Sequence, residues 1–487
     1  MGLGLHGGGL ESARFLLARG AQLTITDLRD EKTLAPSIEQ LEAACTEIPG
    51  CPSIRYVLGR HEIDDFKNAD MVIKNPGVPP DSPYLKAARK IETDISLFLA
   101  ESPARLTAVT GSKGKSSTAS AIHWVLKMRN KELRSSNGNS SSLIPDSFLG
   151  GNIAVSPLVF LGELGENDDV VLELSSWQLG DLRGRRRADG SPGHPKDALL
   201  KPRAAVITAI LPDHLDRYGS MEAYVDDKRE IYRGQDSDDF TVAKDDSWGK
   251  SFLEESSGRP LLYSESPLPE GISGGWVEGE GPGFIRLYGA WQNIADGEIV
   301  ELVPPNLLVP GYYQKQNLLA AGIALLGLGL PPETIRQGLG SFPGIEHRLE
   351  MFHKTGEVSY YNDSAATIPE AAAAAVEALN SNGSLILVCG GADKKLDFSP
   401  LVRAAAQVKV VVLLAGSGSE KLGTLLSGAG IAYHGPFDSL EKAVAATLAR
   451  TAPGDRVVLS PGCASFGMFL NEFDRGHQWK ETVKRLT

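Results

Sequence analysis

Cysteine is scarce in this chain: four among 487 residues, Cys45, Cys51, Cys389 and Cys463, with no CxxC pair and no histidine at zinc spacing. That argues against a disulfide framework or a structural zinc, and the four read as packing thiols. Long apolar runs are missing too. None approaches the roughly 18 residues that cross a bilayer, and the opening MGLGLHGGGLESARF lacks the charge order and cleavage site of a secretory leader. The expected location is the cytoplasm, with no membrane partner. Positive charge is in deficit, 49 Lys and Arg against 61 Asp and Glu for a net charge of −12. This argues against a general nucleic-acid surface while leaving room for a local basic pocket that holds phosphates. No internal repeat of roughly 20–50 residues is visible.

What is present is the composition of a globular protein, 42% hydrophobic and 23% charged, long enough for about two to four domains. Short β-branched runs (LTITD at 23–27, MVIK at 71–74, LTAVT at 106–110, VVLEL at 170–174, AAVITAI at 204–210) alternate with Ala- and Leu-rich helical stretches. The rhythm resumes with SLILV at 384–388, VKVVVLL at 408–414 and RVVLS at 456–460, after a Gly- and Pro-rich middle between about 258 and 312. Alternation of this kind predicts an α/β protein with parallel sheets. Boundaries are expected near Ser102–Pro103 and Pro343–Gly344, giving domains 1–102, 103–343 and 344–487. The segment 183–197, RGRRRADGSPGHPKD, reads as a solvated loop.

The strongest local signal is VTGSKGKSST, set between a strand and a helix as a phosphate-binding loop requires. Gly111 and Gly114 let backbone N–H groups close around phosphate oxygens, with Ser112 and Lys113 between them. Lys115 supplies a cation, Ser116 a hydroxyl for Mg²⁺, and the helix start its positive dipole end. The generic loop has a glycine where this chain has Val109. VVLELSSWQL puts Glu173, Ser175 and Gln178 at the carboxyl end of a parallel strand, where ligands bind in such sheets. Hard Mg²⁺ takes oxygen ligands, so Glu173 is a natural partner for Ser116, and His214 ends a further strand at the same edge. GNIAVSP at 151–157 is weaker alone. YYNDSAATIPEAAAAAV places Asp363 and Thr367 just before a helix that opens at Pro369, a good first-turn residue.

The ordered series TGSKGKSS, GNI, LELSSWQL, DHLDRY…YVDDK, EHRLE, NDSAAT, GGADKKLDFSPL and LLSPGCASFGMF…DRG resembles the Mur ligases over nearly the whole chain. Within that family it resembles the branch that joins D-glutamate to UDP-N-acetylmuramoyl-L-alanine. The resemblance implies a Rossmann-like UDP-sugar-binding N-terminal domain, a central P-loop ATPase domain with a parallel sheet, and a Rossmann-like C-terminal domain. It implies ATP and Mg²⁺ as cofactors, UDP-MurNAc-L-Ala and glutamate as the only partners, and a monomer. By the same resemblance Asp27, Arg29, Asn75 and Gly77 hold the uridine diphosphate, and Asn152, Ser175, Gln178 and His214 line the acyl-donor site. Ser117, Asn317, Arg348 and Asp363 join the phosphate loop in holding ATP, and Thr367, Lys394, Ser465 and Phe466 receive glutamate. Lys228 matches the lysine that the family carbamylates, which converts a cation into a metal ligand beside Ser116, Glu173 and His214; Lys115, Glu173, His214 and Lys228 are then the catalytic set. The implied chemistry is an acyl phosphate formed from ATP and opened by the glutamate amine.

Several positions depart from the family pattern. The lysine after Asn-Asp-Ser is Ala365, the His-Asn pair before Asn317 reads Tyr313-Gln314, an Asn before DH is Ala209, and the tail aromatic is displaced to Phe473. Almost no strand precedes GLGLHGGG, so a continuation upstream is expected to anchor that turn. The alternatives are the related ligase that adds L-glutamate to the same acceptor, a folate-type ligase sharing the ATPase core, and a non-catalytic nucleotide-binding protein.

Overall fold

A computed structural model describes every residue except 5–7, 137–143, 154, 186–197, 310, 381–382 and 395. Most of the 183–197 loop and part of the GLGLHGGG turn therefore lie outside the described residues. The chain forms two compact units, Met1–Pro304 with Gln316–Leu339, and Pro305–Lys315 with Gly340–Thr487.

The first unit opens with two short parallel ladders, β1 (Leu23–Asp27) with β2 (Ile54–Leu58) and β3 (Val72–Ile73) with β4 (Ile91–Glu92). The first residues of the chain lie between them. Gly2 N donates to Thr26 O at 2.8 Å, the Met1 ammonium to Ile73 O at 2.9 Å, and Asn75 N to Met1 O at 3.2 Å. A cavity of about 700 Å³ runs alongside, lined by Leu23–Thr26 and Met71–Asn75, and burial pushes the Met1 amine down to about 6. Cys45 and Cys51 correct the reading of four packing thiols, because they are joined as a disulfide. The end of the helix Glu31–Glu47 and the turn before β2 bring their Cα atoms to 5.6 Å, inside bonding range. Cys389 and Cys463 are buried free thiols, as expected.

The same unit contains a nine-stranded sheet built from β5 (Arg105–Thr110), β6 (Ser147–Gly151), β7 (Asp169–Glu173), β8 (Ala204–Ile207), β9 (Phe240–Lys244), β10 (Arg259–Ser264), β11 (Gly274–Val277), β12 (Gly283–Arg286) and β13 (Ile299–Val303). Its order is β13-β12-β11-β10-β9-β8-β5-β7-β6, parallel except for the two pairings of β12. Strand β7 is buried along its full length, and its near-continuous Val and Leu run fits a strand covered on both faces. The helix Lys115–Ser136 follows β5 after the loop 111–114. The Gly- and Pro-rich middle supplies β10–β13. Its glycines mark close backbone approach: a Cβ on Gly275 would meet Phe284 O, and one on Gly283 would crowd Val303.

The second unit holds a six-stranded sheet of β14 (Glu350–Thr355), β15 (Val358–Asn362), β16 (Leu385–Cys389), β17 (Val410–Leu414), β18 (His434–Phe437) and β19 (Arg456–Leu459). The order is β14-β15-β19-β16-β17-β18, with only β14 antiparallel. Its core has two sides, one around Leu385, Leu387 and Phe398, the other around Val388, Val412 and Trp479. The helix Pro369–Leu379 does begin at its proline. No helix among the described residues is long and apolar enough to cross a membrane.

Candidate active site

Strands β5, β7 and β8 run parallel, so the residues after their carboxyl ends gather at one edge. After β5 comes the glycine loop. Gly111 has φ +143 and Gly114 φ +90, and side chains there are excluded twice over: a Cβ on Gly111 would strike Thr208, and one on Gly114 the amide of Asn317. Asn317 is thereby brought to the loop, and Thr118 Oγ1 donates to its carbonyl at 3.3 Å. Lys115 Nζ donates to Gly111 O (3.0 Å) and Ser112 O (3.1 Å), curling over its own loop. Ser112 is structural: its hydroxyl bonds Leu211 O and Tyr224 OH, both at 2.9 Å. Lys113 is exposed, and Ser116 and Ser117 are half-buried in the first helical turn. Ala209, in place of an Asn, serves through its carbonyl, which accepts from Ser112 N at 2.8 Å.

Glu173 is 2% exposed at the end of β7. Asn152 holds it from both sides, with Nδ2 donating to Oε1 at 2.9 Å and Asn152 N to Glu173 O at 2.7 Å. Oε2 is buried and has no hydrogen-bond partner among the described residues, an arrangement that calls for an explanation in a native site. Lys228, the last residue of the helix Met221–Lys228, is 1% exposed. Its Nζ donates to Gly111 O at 2.9 Å and lies 3.5 Å from Thr110 Oγ1, with no carboxylate in ion-pair contact among the described residues. Burial, reinforced by the nearby Lys115, pushes its amine down to about 7 against the pull of Asp213, Asp227 and Glu173. Lys115 and Lys228 thus share one carbonyl oxygen.

His214 is held in the left-handed region, φ 52, a conformation a non-glycine residue adopts at some cost and that clusters at functional sites. Its ring lies 5.1 Å from Trp177. No hydrogen bond joins it to Glu173 among the described residues. Ser175 and Gln178 spend their side chains on each other in a capping box that starts the helix Ser176–Leu182.

At the two short ladders of this unit, Asp27 accepts from Gly4 N (3.1 Å) and Arg29 N (3.0 Å), while Asn75 accepts from Gly77 N at 3.1 Å and donates to Gly2 O at 3.4 Å. Both flank residues 2–4, and Arg29 and Gly77 are each tied to one of them through a backbone N–H. Sequence reasoning missed His61, whose Nδ1 lies 2.5 Å from Thr26 Oγ1, and the buried Lys74.

In the second unit Asp363 is buried after β15, accepting from Ser460 Oγ at 2.6 Å and Leu349 N at 3.1 Å. Burial pushes its carboxyl up to about 7, against these bonds and the charge of Arg348. Arg348 itself is exposed, between His347 (φ 64) and Leu349 (φ 47), both left-handed. Thr367 and Lys394 meet, Nζ to Oγ1 at 3.0 Å. Ser465 is buried and Phe466 is 67% exposed. The fully buried Arg475, unforeseen in the sequence, ties Ser364 to Cys463 O and so fixes the loop that follows Asp363.

Three family descriptions match in chain order: Mur ligase MurD-like, N-terminal domain, over residues 1–96; Mur ligase middle domain over 109–269; and Mur ligase, glutamate ligase domain, over 347–463. The chain belongs to the Mur ligase family. More narrowly, it is similar to the UDP-N-acetylmuramoylalanine–D-glutamate ligase of Treponema pallidum (strain Nichols), 39% identical over 99% of this chain and 96% of the relative. The protein of the same name from Roseiflexus sp. (strain RS-1) is 38% identical over 100% and 98%. Among solved structures, the UDP-N-acetylmuramate-alanine ligase MurC of Thermotoga maritima shares the fold, with a TM-score of 0.52 at 16% identity over 96% of this chain and all of that one.

Proposed function

We propose that this chain is the ATP-dependent ligase that adds D-glutamate to UDP-N-acetylmuramoyl-L-alanine in cytoplasmic peptidoglycan-precursor synthesis. The observation that carries the reading is the buried, unpartnered Oε2 of Glu173 at the sheet edge where the glycine loop, Lys115 and Lys228 converge. The alanine carboxylate oxygen attacks the γ-phosphorus of ATP, ADP leaves, and an acyl phosphate forms. The glutamate amine then attacks the acyl carbon, inorganic phosphate leaves, and the nitrogen loses a proton. Such a transfer asks for positioning and charge neutralisation rather than a protein nucleophile.

Lys115 places its charge on the transferring phosphate, and the N–H groups of Gly114 to Ser117, at the start of the helix, cradle the rest. An orphaned carboxylate oxygen fits a hard divalent cation. Ser116, Glu173 and His214 would hold Mg²⁺, which neutralises phosphate charge when bound. A bare ammonium at Lys228 would repel that ion. An amine brought down to about 7 is instead about half unprotonated near neutrality and can add carbon dioxide, forming an N–C bond and releasing a proton to leave a carbamate that would serve as a fourth ligand. Asp27, Arg29, Asn75 and Gly77 take the uridine diphosphate, Asn152, Ser175 and Gln178 the muramoyl-alanine end, Asn317, Arg348 and Asp363 the nucleotide, and Thr367, Lys394, Ser465 and Phe466 the glutamate. The organisation is three domains, 1–102, 103–343 and 344–487, acting as a monomer. Phosphate release tests the reading: it should require ATP, UDP-MurNAc-L-Ala and glutamate together, and release that ignores the acceptor would refute it.

A further inference from the structure

The helix Ser176–Leu182 and the residues just after it make side-chain ties to two other parts of the first unit that take no part in the chemistry described above. Near its carboxyl end, Asp181 Oδ2 receives Lys74 Nζ at 2.5 Å, with the two side chains 3% and 12% exposed. Lys74 is the residue immediately before the Asn75–Val78 turn, and its own N–H is tied to Glu92 O at 2.8 Å. Arg185 adds a second tie, to Glu92 Oε2 at 2.5 Å and Ile91 O at 2.8 Å. On its flank, Gly180 lacks the Cβ that would collide with the Asp227 carboxylate, and Arg183 reaches Asp227 Oδ1 at 2.7 Å. Asp227 directly precedes Lys228. At the amino end stand Ser175 and Gln178.

A helix of seven residues is about 10 Å long, so it acts as a short rigid spacer. A buried ion pair adds little net stability, because desolvation offsets attraction, but it defines one geometry, and breaking one partner leaves a costly unpaired charge. We infer that Lys74 and Asp181 are positioning residues: through this helix they fix the distance between the turn that takes the uridine diphosphate and the site that takes the alanyl carboxylate. The inference rests on the ligase reading. A substrate gripped at both ends binds more tightly than either end alone only while the two grips are in register. Loosening the spacer therefore weakens the whole substrate and spares its parts.

The test uses the full chain and compares UDP-MurNAc-L-Ala, UDP as a competitive inhibitor, and ATP. With Asp181→Asn the KM for UDP-MurNAc-L-Ala should rise about tenfold, while the inhibition constant of UDP and the KM of ATP each change less than about twofold. Because a lone buried Lys74 could unfold the protein, the double variant Lys74→Met/Asp181→Leu, which leaves no unpaired charge, should show the same selective rise. Parallel weakening of UDP and the full substrate would overturn the inference, as would a lowered Tm with all three constants unchanged. Failure of the ligase reading would look different: the unaltered protein would not turn over UDP-MurNAc-L-Ala at all.

Discussion

Lys228 in the first unit and Asp363 in the second carry opposite charges, yet burial drives both into the same range. The lysine comes down to about 7 and the aspartate up to about 7. Each lacks an ion-pair partner at contact distance among the described residues and meets neutral groups instead: Gly111 O and Thr110 Oγ1 for the lysine, Ser460 Oγ and Leu349 N for the aspartate. Lys74, nearly as buried as Lys228, shows the other solution, a direct pairing with Asp181. Burial beside a counter-charge makes a strut. Burial without one keeps a group that changes protonation near neutrality, at a cost in stability that a folded protein accepts where chemistry is done.

The largest effect is expected at the phosphate loop, where Lys115 shares the Gly111 carbonyl with Lys228. Lys115→Ala should lower kcat by about a thousandfold with an unchanged circular dichroism spectrum, because a charge on the transferring phosphate is lost. Lys228→Ala should lower turnover by at least about a hundredfold and recover in part with added formate or acetate, whereas a bystander lysine would show neither effect. A carbamate on the unaltered protein should also appear as a carbonyl resonance after incubation with ¹³C-bicarbonate. In the second unit, Lys394→Ala removes one charge-assisted contact worth about 1.5–3 kcal/mol, so the KM for glutamate should rise about ten- to a hundredfold and that for ATP stay nearly constant.

The smallest effects are on stability and have opposite signs. Lys228 has a folded pKa below its unfolded one, so the unfolded chain binds more protons between about 7 and 10.5, and this residue makes stability rise with pH across that window. Asp363 has a folded pKa above its unfolded one, so stability from its region is present below about 4 and is lost as pH rises through about 7. Lys228→Met should flatten the alkaline rise, and Asp363→Asn the fall between about 4 and 7, each in a denaturant-unfolding series. Profiles that keep both slopes would mean the two groups are less isolated than their contacts imply.

Much of this arrangement was legible in the sequence. The glycine loop, Glu173 and Pro369 could be placed because a strand, a turn and a helix start are encoded by neighbours in the chain. Asn317 was placed by family resemblance, and its packing against Gly114 emerges only in three dimensions. Contacts between distant residues left no local trace: Lys74 and Asp181 lie 107 residues apart, Ser364 and Arg475 are 111 apart, and a buried lysine looks like any surface lysine in a one-dimensional pattern. The strands β11–β13 escaped because each is only four or five residues long and two of them are glycine-containing, which hides alternation. The Cys45–Cys51 bond joins residues only six apart and escaped for a different reason. Spacing alone does not say that a helix end turns back on a strand.

Ala365 stands where the family carries a lysine close to the incoming amino acid, so the identity of that amino acid is the property to measure directly. With UDP-MurNAc-L-Ala and ATP held saturating, kcat/KM should be compared for D-glutamate and L-glutamate. Inverting the α-carbon leaves both carboxylates in place but turns the amine away from the acyl phosphate, so selectivity rests on orientation. The kcat/KM for D-glutamate should be at least about a hundredfold above that for the L-isomer. A higher value for L-glutamate would contradict the D-glutamate reading and assign this chain to the ligases that leave the inversion to a separate enzyme.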